Sequence, residues 1–530
     1  MLILSMIAAT TWAVYLIVIC LPHDLHMLQQ NSYRNDRYLR WYQQHHQDEL
    51  RLGELGLGAA VVTACFVPLG GLVVFALLLL LLSGWRLTHK KAVIKPLVMT
   101  KRAIRLYGVT GVIVLLLGVA LTWAWVCCSG LAGRILLPLL LLSTMVIIRY
   151  SFVLTYSANY LLIPVERGIN RHYANQARSK INNLPHLRRI GITGSYGKTS
   201  VKKISEAILA EKYLTLATPE SYNTPMGITR VIREELRPIH QVFICEMGAR
   251  QRGDIRELAE LTSPQIGVLT AIGPQHLETF CDMQTIVDTK FELIEALPTQ
   301  GVAVLNLDNP EIARNSHRAP CRVVGYGLGE NCDFRAEQIV YDGQGSRFIL
   351  CHGADRVEFT TRLLGEHNIC NILGAVAVAY QLEVPLPMAA RAVKRLAPIS
   401  HRLELKEMPQ YTMLDDAYNA NPTGAHFALT VLKAMKGGQK IIITPGMVEL
   451  GDREKELNLE FAAAMTEFAD YIILVGQQRG EMMEEALIAK GYPPKCYYIA
   501  ANLRDARIRL SQIVHKGDIV LYENDLPDLY

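Results

Sequence analysis

The chain has 530 residues, half of them hydrophobic, with a formal charge of +5 at pH 7 and a positive mean hydropathy. That length leaves room for three or four domains, and so apolar a composition excludes a disordered or uniformly hydrophilic protein. The small positive charge owes much to lysines and arginines flanking apolar stretches, so it is no argument for nucleic-acid binding, and none is expected.

The apolar excess lies before residue 165. Four stretches there, about 2–21, 56–84, 106–128 and 134–163, reach the roughly 20 apolar residues that a spanning helix needs. The first lacks a basic leading region and a small-residue cleavage site, so it reads as an uncleaved span. Between the second and third, Trp85 to Arg105 carries Arg86, Lys90, Lys91, Lys95, Lys101, Arg102 and Arg105 with no acid. The positive-inside rule makes this loop cytoplasmic, and the same loop could touch anionic headgroups. Four spans then put the N-terminus and everything after residue 164 on the cytoplasmic side of the cell membrane, with the mixed-charge loop Pro22–Leu55 outside. Eleven cysteines without a CxxC pair suit a reducing cytoplasm and suggest no zinc site.

Pro164 is expected to mark the exit from the membrane, and 165–187, with Arg167, Arg171, Arg178 and Lys180, to form a juxtamembrane linker helix. From Arg189 strands alternate with helices: Val242–Glu246, Gln265–Ala271 and Val302–Leu307, then Tyr411–Asp415, Lys440–Thr444, Tyr471–Val475, Cys496–Ile499 and Asp518–Leu521. The alternation predicts parallel sheets covered by helices. The expected fold class is an α-helical membrane domain (1–164), the linker (165–187), a central P-loop α/β domain (188–398) and a smaller Rossmann-like α/β domain (399–530).

The strand Arg189–Thr193 runs into Gly194-Ser195-Tyr196-Gly197-Lys198-Thr199-Ser200, and a helix over Val201–Ala210 follows. Backbone N–H groups in such a turn, backed by a helix N-terminus, suit nucleotide phosphates. Lys198 adds a positive charge and the Thr199 hydroxyl can ligate Mg²⁺. The spacing is not that of the ordinary P-loop, because Ile192 stands five residues before Gly197. Glu246 ends an apolar strand where a metal-binding carboxylate would lie. His276 follows the strand Val268–Ile272 at the same edge, and Lys290 falls on a predicted helix. Taken singly, these three are more often a strand-end acid, a structural histidine and a surface lysine.

Together these segments resemble the Mur ligase family, ATP-dependent enzymes that build the peptidoglycan stem peptide. The resemblance rests on seven motifs in order across about residues 188–455: Thr193–Thr199, Ser221-Tyr-Asn-Thr-Pro-Met-Gly227, Glu246-Met-Gly, Gly273-Pro-Gln-His-Leu-Glu278, His367-Asn-Ile-Cys-Asn371, Arg402-Leu-Glu404 and Asp415-Asp-Ala-Tyr-Asn-Ala-Asn-Pro422. The last is similar to the branch that joins D-alanyl-D-alanine to a UDP-N-acetylmuramoyl-tripeptide. The resemblance implies that Gly194, Ser195, Gly197, Lys198, Thr199 and Ser200 hold ATP phosphates. Thr199 and Glu246 would bind Mg²⁺, and His276 and Lys290 a second Mg²⁺, Lys290 as a carbamate. Asn368 and Asn371 would serve the adenine, Arg402 a phosphate and Asp416 the ribose. Asn223, Thr224, Tyr418, Asn419 and Asn421 would face substrate. Lys198, His276 and Lys290 would be the catalytic set, forming an acyl phosphate that an amine then attacks.

Two features depart from that branch. Membrane helices stand where its small UDP-sugar domain would be, and the last strand reads Val520-Leu-Tyr-Glu-Asn-Asp-Leu-Pro-Asp528 where the branch usually has Lys-Gly-Ser-Arg. Three functions therefore remain open: a membrane-anchored D-alanyl-D-alanine-adding ligase, a related ligase acting on a lipid-linked or other peptide or polymer carboxylate, and a nucleotide-binding regulator of a membrane cell-wall complex. Glu246→Ala and Lys198→Ala are expected to abolish acyl-phosphate formation and leave the fold intact.

Overall fold

The computed structural model describes residues 2–31, 33–45, 60–88, 96–127, 131–219, 222–275, 277–280, 282–342, 345–398, 401–417, 422–448, 450 and 453–524. The chain divides into two compact units, Met1–Arg171 and His172–Pro527.

The first unit is helical, because its long runs of Leu, Ile, Val and Ala carry few groups that compete with the helical backbone. Three helices, Met6–Gln30, Gly70–Thr88 and Lys101–Ala124, are long and apolar enough to cross a membrane. The fourth expected span differs: Leu137–Arg149 and Phe152–Asn182 are two helices bent by 65°, so 134–163 is one crossing only if that bent pair counts as one. Pro164 does not end a helix but lies inside Phe152–Asn182. A proline removes one backbone hydrogen bond, which a long packed helix can absorb. Trp12, Phe75, Leu79 and Leu137 form the apolar centre, and the Trp12 indole N–H donates to the Thr144 carbonyl at 3.3 Å. Leu80, Leu116 and Val119 are exposed instead, a distribution that suits a helix bathed in hydrocarbon.

The second unit holds two sheets. The larger follows the order β2-β3-β1-β4-β5-β6-β7-β8-β9, with β1 (Arg188–Thr193), β2 (Thr215–Ala217), β3 (Val242–Glu246), β4 (Ile266–Leu269), β5 (Val302–Asn306), β6 (Arg322–Gly327), β7 (Phe334–Asp342), β8 (Gly345–His352) and β9 (Asp355–Thr361). The strands are parallel from β2 through β7, but β7–β8 and β8–β9 pair antiparallel. That meander corrects the all-parallel expectation: strands joined directly by short turns cannot run parallel. Apolar clusters cover both faces, one around Ile190, Val201 and Ile372, the other around Phe243, Leu269 and Phe291. Ala177, Ile181 and Leu187 belong to the second cluster, so the end of the expected linker helix packs as part of this unit.

The smaller sheet has the order β10-β11-β15-β12-β13-β14, with β10 (Glu404–Glu407), β11 (Tyr411–Asp416), β12 (Lys440–Thr444), β13 (Tyr471–Val475), β14 (Tyr497–Ala500) and β15 (Asp518–Glu523). Only β10, at the edge, runs antiparallel to its neighbour. In both sheets the C-terminal ends of the parallel strands carry the residues of chemical interest, the usual place for ligands in open α/β folds.

Candidate active site

The loop after β1 is shaped by two glycines. Gly194 and Gly197 have φ of +151° and +78°. A Cβ on Gly194 would lie 2.1 Å from the Thr270 hydroxyl, and one on Gly197 would lie 2.5 Å from Asn371 Oδ1. Gly197 opens the helix Lys198–Leu209, so free N–H groups and the positive end of the helix dipole converge on the loop. Gly197→Ala is expected to cost about 1–2 kcal/mol from the left-handed backbone alone, read as a lower urea midpoint together with weaker nucleotide binding.

The loop is tied to the chain after β4. The Ser195 N–H donates to the Ala271 carbonyl at 2.7 Å and its hydroxyl to the Gly273 carbonyl at 3.0 Å. The Tyr196 hydroxyl donates to the Pro274 carbonyl at 2.9 Å. Ser195 thus has both its N–H and its hydroxyl engaged with the chain after β4. The Lys198 ammonium donates to the Gly194 and Ser195 carbonyls at 2.6 and 3.0 Å. Burial lowers its pKa to about 8, with Glu246 opposing and Arg402 assisting.

Glu246 stands at the end of β3, beside β1 in register with Ile192, and is buried. Its Oε2 accepts from the Thr199 hydroxyl at 3.0 Å and pairs with Lys202 Nζ at 3.0 Å, while Oε1 accepts from the Asn223 amide at 3.3 Å. Burial alone would raise the carboxyl, but the Lys202 and Lys198 charges and the bonds from Lys202 and Asn223 hold it below its ordinary range. Lys202 was not singled out from the sequence, although its i+4 spacing from Lys198 puts both on one side of the helix. The hydroxyl of Thr199 and the carboxylate of Glu246 are adjacent hard oxygens, a donor set that fits Mg²⁺. Among the described residues no three His, Cys, Asp or Glu side chains cluster for a metal.

Lys290 lies on the helix Met283–Glu295, buried, with its Nζ 5.9 Å from the centre of the Phe280 ring. Burial, reinforced by the Lys198 charge, brings its pKa to about 7, so much of it is a neutral amine at physiological pH. The Thr224 side chain caps the helix Pro225–Glu234 by accepting from the Gly227 N–H. His276, Tyr418, Asn419 and Asn421 lie outside the described residues.

A cleft of about 390 Å³ is lined from the larger sheet's side by Gly197, Ser200, Asn368 and Asn371 and from the smaller sheet's side by Arg402 and Asp416, a volume within the usual small-molecule range of roughly 300–1,000 Å³. Residues from four separate segments thus share one cavity. Burial pushes Asp416 up to about 6 against the pull of Arg402. His367, in the same wall, is lowered by burial to about 4 and is neutral.

A glycine cradle opening a helix, a paired strand-end carboxylate and a cleft between two α/β sheets define a phosphate-loop protein of two-domain, ligase-like architecture. Residues 192–379 match the Mur ligase middle domain and residues 401–522 the glutamate ligase domain of Mur ligases. The chain belongs to the Mur ligase family. It is 27% identical over 339 residues to the UDP-N-acetylmuramoyl-tripeptide--D-alanyl-D-alanine ligase of Bacillus subtilis, covering 63% of this chain and 72% of that one. The enzyme of the same name from Mycobacterium bovis is 35% identical over 249 residues, 46% of this chain, and the match spans about half (49%) of its length. The crystal structure of MurF from Acinetobacter baumannii superposes with a TM-score of 0.60 at 25% identity, covering 67% of this chain and 77% of that one.

Proposed function

We propose that this chain is an ATP-dependent carbon–nitrogen ligase that adds D-alanyl-D-alanine to a muramoyl-peptide cell-wall precursor through an acyl phosphate. The observation that carries the reading is the constellation at β3: Glu246 charged and buried, bonded to Thr199 and Lys202, beside a loop whose glycines leave room for phosphates. The named relatives act on the UDP-linked tripeptide, and the same chemistry is assigned here.

ATP supplies the phosphoryl group that turns a carboxylate, a poor electrophile, into one that an amine can attack. Lys198 and the loop N–H groups bind the polyphosphate, and Thr199 with Glu246 would hold Mg²⁺. Asn223 and Lys202 keep the Glu246 carboxylate oriented and ionised. Lys290, with His276, would serve a second Mg²⁺; its neutral fraction at pH 7 is the form able to take up CO₂ as a carbamate. Asn368, Asn371, Arg402 and Asp416 line the cleft for the nucleoside end, and closing the smaller sheet's side over the nucleotide would keep water from the activated acyl group.

The apolar helices of the first unit are assigned to the cell membrane, with the ligase domains cytoplasmic, on the strength of their length and the basic loop 85–105. They also favour a second reading, in which the carboxylate donor is lipid-linked. The test is phosphate release from ATP by the detergent-purified chain, with D-alanyl-D-alanine and either UDP-N-acetylmuramoyl-tripeptide or its lipid-linked counterpart. Turnover with the soluble donor supports an anchor that serves location, and turnover with the lipid-linked donor alone supports the second reading. Silence with both overturns the proposed reaction.

A further inference from the structure

Bonds inside the first helical unit fix which of its connections share an end. Gly118 lies beside Trp12 and Ala13, and a Cβ there would meet both at 3.9 Å. The Tyr107 hydroxyl donates to the Ile17 carbonyl at 2.9 Å. The Gln29 side chain exchanges two bonds with the Val98 backbone, at 2.7 and 3.0 Å. Ala13, Ile17 and Gln29 thus meet Gly118, Tyr107 and Val98 in turn, so the first apolar helix runs antiparallel to Lys101–Ala124. The chain after Gln29 stays at that end. Arg102 lies over the Tyr33 ring at 4.3 Å and donates to Asn159 at 3.3 Å. The Asn159 amide donates in turn to the Tyr33 carbonyl at 3.0 Å and to Asn35 Oδ1 at 2.7 Å. Segments within hydrogen-bond reach cannot stand on opposite sides of a hydrocarbon core about 30 Å thick. The expectation that Pro22–Leu55 and the basic loop 85–105 face opposite sides therefore fails for residues 29–35.

The helix Asn35–His45 continues from this point. Its Tyr38 and Tyr42 rings pack on Phe152, with centroids 6.2 and 3.6 Å away, and the Tyr42 hydroxyl donates to the Arg149 carbonyl at 2.8 Å. Asp36, Leu39, Arg40 and Gln43, at helical spacing, are exposed on the other face. At the same end Val98 and Met99 are exposed beside the exposed Lys101. Exposed apolar side chains next to cations are what a segment lying at a membrane interface presents.

We propose that the helix Asn35–His45 lies on the cytoplasmic face of the membrane with the segment 96–101, and that this surface, through Arg40 and Lys101, holds anionic phospholipid headgroups. The first apolar helix then starts on the far side. Charge complementarity selects the occupant, because the cytoplasmic leaflet's anionic lipids attract basic side chains held at its surface. The inference rests on the reading that the apolar helices cross the cell membrane.

Two measurements on the full chain test it. Arg40→Cys and Lys101→Cys are exposed to a membrane-impermeant maleimide in spheroplasts and in inverted vesicles, with the unaltered chain giving the background from its own cysteines. Both should label in inverted vesicles alone. Labelling of Arg40→Cys from the spheroplast side, or failure of either variant to label from any side, overturns the inference while leaving the membrane reading standing. Equal labelling of both variants from both sides overturns the membrane reading, and the inference with it. Phosphatidylglycerol and phosphatidylcholine are then titrated into the detergent-purified chain at low salt. Arg40→Gln and Lys101→Gln should each weaken phosphatidylglycerol about fivefold, the equivalent of roughly 1 kcal/mol per basic side chain near an anionic surface, and leave phosphatidylcholine unchanged. Arg40→Lys should bind as the unaltered chain does, because charge and not shape is required. Equal affinity of the unaltered chain for the two lipids, or equal losses of both in the glutamine variants, overturns the headgroup assignment.

Discussion

Glu246→Ala is expected to lower ATP-driven turnover by about a thousandfold, the scale on which removing one preorganised charge-stabilising group acts. The same change should also weaken the fold, which revises the expectation from sequence that it would leave the fold intact. Lys202 is nearly inaccessible, and its ammonium pairs with Glu246 at 3.0 Å. Breaking a buried pair by removing one partner costs about 3–5 kcal/mol, because the other charge stays buried and uncompensated. Glu246→Gln keeps the shape and one acceptor oxygen, so it should lose turnover to a similar degree with a smaller drop in stability. Adding Lys202→Met to Glu246→Gln should then recover stability without recovering turnover. Phosphate release and urea unfolding on the four proteins separate the two effects. Near-normal turnover in Glu246→Gln would falsify the assignment of this carboxylate to the reaction. Lys198→Ala should be as inactive, although its ammonium bonds two loop carbonyls and its loss is expected to loosen that loop.

Lys290→Ala is expected to cut turnover by about a hundredfold or more if its carbamate helps hold the second cation. Small carboxylates or raised Mg²⁺ should restore part of the activity, and indifference to both additions would count against the carbamate. A second readout needs no substrate. Lys290 has a folded pKa of about 7 against an ordinary 10.5. Between those values the unfolded chain binds the extra proton, so stability contributed at this site rises with pH from about 7 to about 10.5 and is flat below. In CO₂-depleted buffer Lys290→Met should therefore be more stable than the unaltered chain at pH 7, by about 4 kcal/mol, with the advantage vanishing toward pH 10.5. Equal pH profiles for the two proteins would mean that the lysine is solvated and unsuited to carbamate formation.

The residues that announced themselves in the sequence were those whose chemistry is local. Gly194 to Ser200 can be read as a phosphate loop because glycine spacing, a preceding β-branched run and a following helix all lie within about twenty residues. Strands such as Val242–Glu246 and Lys440–Thr444 were bounded correctly, since a strand buried on both faces is a short continuous apolar run. The antiparallel β7–β9 meander was not foreseen. Parallel or antiparallel pairing depends on the partner strand and not on the strand's own composition.

The roles of single polar side chains were less legible for the same reason. Thr224 lies in a motif that points to substrate, and that its hydroxyl caps a helix shows only in the structure. Lys202 drew no attention, because a lysine on a helix is ordinary until something buries it.

The apolar first third, the phosphate loop, the order of the α/β elements and the family could be read from the chain's own order of residues, because each depends on residues near one another in the chain. Tertiary structure alone decided that Lys202 neutralises Glu246, that Lys290 is dry enough to lose its proton near pH 7, and that Asn371, Arg402, Asp416 and Glu523 share one cleft. Charge state and hydrogen bonding depend on burial and on distances across strands and domains, and those are set by how the chain folds back on itself.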